Sequence, residues 1–269
     1  MALNTATLGH NLDGYGAGWA PERVIDACAA RGFGGIVFWR REVGKRAIEI
    51  GDRARAAGLQ VAGLCRTPYL TGSEAGSDDE VKASIDMAAA LGTPVLTVVT
   101  GGTEPGSKGV LESQKRLADR LMLLEPFAAD RNVKLALEPL NPMFGGNRTC
   151  LFTVADALAV CDMVGSDHLG IAVDVYHVWW DRMLGNSLDR AGGKILGYHL
   201  CDWLENTTDM LLDRGMMGDG VADLKALRAM VEGAGYQSFC EVEIFSRAWW
   251  ATDPEEVLDT ILSRFQTQC

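Results

Sequence analysis

The feature that most constrains the fold is an alternation repeated about eight times along the chain. A short run rich in Val, Ile and Leu is followed each time by a longer amphipathic segment. Strands buried on both faces read as continuous apolar runs, and parallel strands need crossover helices to bring the chain back. The alternation therefore predicts strand–helix units. Expected strands are Leu3–Leu8, Gly35–Trp39, Gln60–Cys65, Pro94–Thr100, Val133–Leu140, Gly170–Val178, Ile195–Cys201 and Phe239–Phe245. Expected helices are Pro21–Ala30 and residues 42–57, 79–91, 111–130, 153–164, 184–192, 222–233 and 254–265. Pro21 suits a first helical position, and Gly58, Gly92 and Gly235 supply turns before strands. The 269 residues match one (β/α)8 barrel, which needs about 250. No linker or composition break divides them, so one α/β TIM-barrel domain over 1–269 is expected. An open doubly wound sheet is the competing arrangement, but no expected strand leads into a G-x-G-x-x-G turn.

Composition narrows the partners. A net charge of −11, from 25 basic and 36 acidic side chains, opposes binding to phosphate backbones. A small molecule rather than nucleic acid is the expected partner. Seven scattered cysteines without a C-x-x-C pair suggest neither a disulfide framework nor a thiolate zinc site, and fit a reducing compartment. The segment MALNTATLGHNLDGYG lacks the basic and apolar regions of a signal peptide. No apolar run approaches the roughly 18 residues of a membrane span. A cytoplasmic chain without membrane partners is expected.

Four segments place a polar side chain near the C-terminal end of an apolar run: LALEPLNP (135–142), GIAVDVYHVWWD (170–181), GYHLCDW (197–203) and CEVEIFS (240–246). Barrel active sites lie at that end. Buried carboxylates and imidazoles are costly without partners, so their repetition on expected strands 5 to 8 points to a shared site. Glu138, Asp174, His199 and Glu243 are the expected ligands of one divalent metal. Three carboxylates and an imidazole suit Mn²⁺ first, with Mg²⁺, Co²⁺ or Zn²⁺ as alternatives. Taken singly, each would more often be a solvated rim residue or a hydrogen-bonded structural histidine. Strand parity puts Glu241 and Glu243 on one face, with Glu241 a layer deeper, so either of the two fits the ligand position.

Around these ligands, Trp39, Arg66, Trp179 and Trp180 lie near expected strand ends and are candidates to shape a pocket. Arg66 suits an anionic substrate or an acidic neighbour. His10 fits pocket and surface equally, whereas His168 precedes a strand and belongs outside the site. The segment GGTEPGSKG (101–109) is glycine-rich but lacks Walker spacing, and reads as a flexible loop. Tryptophans 249–250 are candidates for a homo-oligomer interface.

At these residues the chain resembles the sugar phosphate isomerase/epimerase group of xylose-isomerase-like barrels, which includes ketose 3-epimerases and inosose dehydratases. The resemblance covers nearly the whole chain. It is most specific in E-P-L-N at 138–141, D-x-x-H at 174–177, H-x-x-D at 199–202, D-R-x-x-x-G-x-G at 213–220 and G-Y-x(6)-E-x-F at 235–245. It implies that Glu138 and Glu243 both hold metal and exchange substrate protons. Asp174 and His199 would complete the metal shell, with His177 and Arg214 contacting substrate oxygens. Two departures stand out. About eight extra residues separate His199 from Asp213–Arg214, and Glu241 replaces a usually apolar position.

The resulting expectation is a metal-dependent isomerase or epimerase that moves a proton beside a carbonyl through an enediolate, on a keto-sugar or sugar phosphate. A lyase or dehydratase of a keto-sugar, inosose or 3-keto-glycoside is the alternative, because the same proton abstraction can expel a β-oxygen. A repair nuclease and a catalytically silent binding protein rank below both.

Overall fold

The computed structural model describes residues 1–269. Eight parallel strands close into a barrel in chain order. They are β1 (Ala2–Asn4), β2 (Gly35–Trp39), β3 (Gln60–Cys65), β4 (Val95–Val98), β5 (Lys134–Leu137), β6 (Leu169–Asp174), β7 (Ile195–Leu200) and β8 (Cys240–Val242). Closure comes from β1 against β8, where Ala2 faces Glu241 and Leu3 faces Val242. The expected closed α/β barrel is therefore the observed one, and the open sheet is excluded.

Alternation along each strand separates two environments. Leu3, Ile36, Phe38, Leu64, Leu96, Leu135, Ile171, Tyr198 and Val242 are buried in the apolar core. On the alternate positions stand Gly63, Ala136, Ala172 and Gly197, which line a cavity of about 340 Å³ beneath His199 and Glu241. Small residues at this level leave space where barrels usually stack branched side chains.

Several expected elements end early, and polar side chains explain two of them. The first strand stops at Asn4 and continues as a 3-10 turn, Thr5–Leu8, because the Asn4 side chain accepts from the Ala6 N–H. The sixth stops at Asp174, whose carboxylate accepts from the Tyr176 N–H at 2.8 Å and caps a short helix, Val175–Val178. In each case a local side-chain acceptor competes with the strand ladder. Pro139, which has no N–H to donate, follows the shortened fifth strand. The expected helix over 42–57 is two helices, Arg40–Val43 and Ala47–Ala56, broken at Gly44 with φ of 53°.

Other helices follow their sequence signals. Asp78–Leu91 starts from a Ser77–Glu80 capping box, and Val154–Val164 from Thr153 and Asp156. Leu111–Ala129, Leu184–Ala191 and Leu224–Gly233 lie within a residue or two of expectation, and Pro254–Gln268 runs three residues longer. A short helix at Arg247–Trp250 was not anticipated. Trp250 is buried there, its indole N–H donating to Ala6 O at 2.8 Å, and Trp249 is half-buried. The expected exposed interface at 249–250 is thus corrected for Trp250. All seven cysteines are free. No helix is long and apolar enough to cross a membrane.

Candidate metal centre and active site

Strand register sets the site. Asp174 on β6 pairs with His199 on β7, and His199 with Glu241 on β8. Their side chains consequently share a level on the barrel interior. Glu138 and Glu243 lie one residue beyond β5 and β8, yet each backbone N–H still bonds to the neighbouring strand, to Val98 O and Leu200 O, both at 3.0 Å. All five side chains are buried. One donor atom from each of Glu138, Asp174, His199 and Glu243 lies within 4.8 Å of the others. The four sequence candidates converge, and Glu241 sits deeper, as parity required.

A mesh of hydrogen bonds holds these groups. His199 Nδ1 stands 2.9 Å from Glu138 Oε1, and its Nε2 stands 3.5 Å from Glu241 Oε2. Asn4 of β1 donates through Nδ2 to Glu241 Oε1 at 2.6 Å and Glu243 Oε1 at 2.8 Å. The Asn4 carboxamide oxygen accepts from the Trp39 indole at 2.8 Å. Trp39 therefore orients Asn4 as well as facing the cavity. Asn4 escaped the sequence reading because an asparagine near the N-terminus carries no motif.

Arg214 is the cation on this side. Its Nη1 donates to Asp174 Oδ2 at 2.9 Å and Glu243 Oε2 at 3.2 Å, while its Nε is buried without a partner. The remodelled loop after β7 positions Arg214 through its backbone: the Arg214 N–H bonds to Phe245 O, and Arg247 N–H to Leu212 O. Asp202 fastens the same loop, its carboxylate accepting from the N–H groups of Trp203, Gly218, Gly220 and Ala222. At Gly220 a Cβ would lie 2.0 Å from Trp203 O, so only glycine fits. This accounts physically for Asp202 and for the glycines of 213–220.

Burial dominates the electrostatics. It drives the Glu243 carboxyl up to about 8; the Arg214 and His199 charges oppose this, and Glu138 and Asp174 reinforce it. Burial also raises Glu241, against His199 and Asn4. For Asp174 burial acts upward, but Arg214, His177 and His199 outweigh it and the net shift is downward. Burial pulls the His177 imidazole down to about 4. His177 is therefore neutral near pH 7, with Nδ1 accepting from the Asn141 N–H at 3.3 Å. The asparagine of E-P-L-N thus orients the histidine of D-x-x-H.

A narrow cavity opens above the cluster and includes Trp39, Arg66, Glu138, His177, Arg214 and Glu243 in its wall. All four expected substrate-contacting residues therefore face the same space as both expected proton carriers. Apolar walls come from Val99, Leu140, Phe144, Leu211 and Phe245. Trp179 and Trp180 do not reach it; Trp180 donates to His177 O and Trp179 packs on Trp203, which corrects the pocket role considered for them. His10 pairs with Glu42 at 3.1 Å outside the cavity. Arg148, also in the wall, was missed because it lies in a loop without strand periodicity.

The comparisons with known proteins agree with the barrel architecture. The model of the xylose isomerase-like TIM barrel family matches residues 25–267, and the chain belongs to that family. A Sinorhizobium meliloti 1021 protein of known crystal structure superposes with TM-score 0.91 at 38% identity, covering 100% of this chain and 98% of that one. An inosose isomerase of Halalkalibacterium halodurans is 26% identical over 187 residues, 67% of this chain; the match spans 64% of that enzyme's length. The crystal structure of the IolI protein with a bound zinc atom superposes with TM-score 0.81 at 20% identity over 98% of this chain and 95% of that one.

Proposed function

We propose that this xylose isomerase-like barrel is a divalent-metal-dependent isomerase or epimerase acting on a small keto-sugar. One observation carries the reading: four buried donors from successive strands 5 to 8 lie within 4.8 Å of one another. Two of them, Glu138 and Glu243, share their cavity with His177 and Arg214. The donor set passes a chemical test for a cation. Three carboxylates against one imidazole and one guanidinium leave the cluster acid-rich, and burial raises Glu243 by making its charged form costly. Oxygen-dominated donors favour Mn²⁺, Mg²⁺ or Co²⁺. The zinc in the IolI relative keeps Zn²⁺ among the candidates.

Glu138, Asp174, His199 and Glu243 would hold the ion. When bound, it supplies Lewis-acid charge beside a carbonyl and its neighbouring hydroxyl. The remaining chemistry belongs to the chain. Glu138 and Glu243 approach from the ends of β5 and β8, and one takes the proton from the carbon next to the carbonyl. The C–H pair becomes the C=C of an enediolate, and the carbonyl oxygen gains the negative charge. Return of a proton to the opposite face gives the epimer, and return to the neighbouring carbon, with the hydroxyl proton passing to the former carbonyl oxygen, gives the isomer. Arg214 Nε and neutral His177 orient the substrate oxygens. The apolar walls exclude water from the enediolate.

Mass spectrometry of ketoses, inososes and 3-keto-glycosides incubated with Mn²⁺-loaded protein in D₂O tests the reading. Deuterium uptake at unchanged atom composition supports proton exchange through an enediolate. Loss of water or of an aglycone transfers the assignment to lyase chemistry at the same site.

A further inference from the structure

Beyond proton exchange, the cavity wall carries a second chemical signal. Of the chain's 18 arginines, only Arg40, Arg66, Arg148 and Arg182 have no carboxylate oxygen within 4.0 Å. Arg182 is exposed, whereas the other three gather at the barrel mouth. Arg66 and Arg148 line the cavity that holds Glu138 and Glu243. Arg40 lines the outer hollow that continues from it past Trp39 and Arg66. In an acidic chain whose other buried or half-buried arginines find carboxylates, converging unpaired guanidiniums need an anion from elsewhere.

Both inner arginines are held in place without being neutralised. Arg66 follows β3, donates from Nη1 to Thr67 O at 3.1 Å and stacks over the Tyr69 ring at 4.2 Å. Burial pushes its guanidinium below the ordinary arginine value, and the Arg148 charge pushes in the same direction. Arg148 lies 5.3 Å from the Phe144 ring, and its Nε is buried with no hydrogen-bond partner.

The glycine-rich segment at 101–109 supports the Arg148 loop. The Gly101 N–H bonds to Arg148 O at 3.0 Å, and the Thr103 N–H to Gly146 O at 3.2 Å. At Gly102 a Cβ would lie 2.1 Å from Gly146 O. The segment thus contributes a fixed support in its first three residues, where a flexible loop was expected.

We propose that Arg66 and Arg148 form an anion subsite, and that the physiological substrate carries a carboxylate or phosphate on the end remote from the reacting carbonyl. Resting on the sugar isomerase/epimerase reading, the inference names its substrate class. A guanidinium pair binds either anion through charge-assisted hydrogen bonds. Arg66 and Arg148 share the cavity wall with Glu138 and Glu243, so an anionic group held by the arginines fixes how the substrate lies against the carboxylates.

Calorimetric titration of Mn²⁺-loaded protein with D-fructose, 5-keto-D-gluconate and D-fructose 6-phosphate tests this. At least one anionic ligand is expected to bind tenfold or more tightly than D-fructose. A preference for the ketogluconate identifies the carboxylate, and a preference for the sugar phosphate identifies the phosphate. Arg66→Gln and Arg148→Gln should each erase that advantage and leave Mn²⁺ stoichiometry unchanged. Arg182→Gln should change nothing. Equal binding of neutral and anionic ligands by the wild type overturns the inference, as does an advantage that survives both substitutions. Failure of Mn²⁺ to bind would instead overturn the metal-dependent reading, and the anion preference is then read in metal-free protein by the same ratios.

Discussion

On the β5–β8 side of the barrel mouth, Asp174 and Glu243 share Arg214 at 2.9 and 3.2 Å, and Glu138 and Glu241 flank His199. On the β2–β5 side, Arg66 and Arg148 face the same cavity with no such partner. The acidic side is a closed mesh in which each side chain depends on several others. Substitutions there disturb function and stability together. The arginine side is tethered only by backbone bonds and ring faces, so substitutions there should alter ligand preference and leave the fold intact.

Glu243→Gln gives the largest effect expected from this contrast. Removing a proton carrier that is also a ligand should lower proton exchange by about 10²–10⁴-fold, read by deuterium incorporation. An unchanged rate would remove Glu243 from the chemistry. Next is Arg214→Met, which leaves Asp174 and Glu243 buried without their cation. A loss of about 3–5 kcal/mol is expected in urea unfolding, partly recovered on adding Mn²⁺ because a ligand of the folded state stabilises it. A loss below ~1 kcal/mol would show that the mesh is not cooperative.

Asn4→Ala removes the donor shared by two glutamates, and about 1–3 kcal/mol should be lost by the same measurement. Smallest is Arg148→Gln, for which a change within about 0.5 kcal/mol is expected. A large destabilisation there would make Arg148 structural and collapse the distinction between the two sides.

How much of this was legible follows the same division. Apolar runs fixed the number and order of strands, because burial on both faces leaves a continuous signature in the chain. The ligands were legible because Glu138, Asp174, His199 and Glu243 interrupt those runs where burial makes a charged group costly. Strand ends were harder: Asn4 and Asp174 stop their strands with their own side chains, which an apolar pattern cannot register. Loop residues were hardest. Arg148 stands in a loop held by the Gly101 N–H and by the packing of Gly102 against Gly146, residues 44 positions apart that no local pattern links. Arg214 was found through a motif, but its reason, a backbone clamp on Asp202 and Phe245, belongs to the folded loop.

The central claim is that Glu138, Asp174, His199 and Glu243 act as one divalent-cation site. Titration of Mn²⁺ into chelator-treated protein, followed by calorimetry and elemental analysis, tests it most directly. The account predicts one equivalent per chain in the wild type, with tight binding lost in His199→Ala and Glu243→Gln but kept in Arg66→Gln. Wild-type protein that binds neither Mn²⁺ nor Zn²⁺ stoichiometrically, or ligand variants that bind as the wild type does, would contradict it.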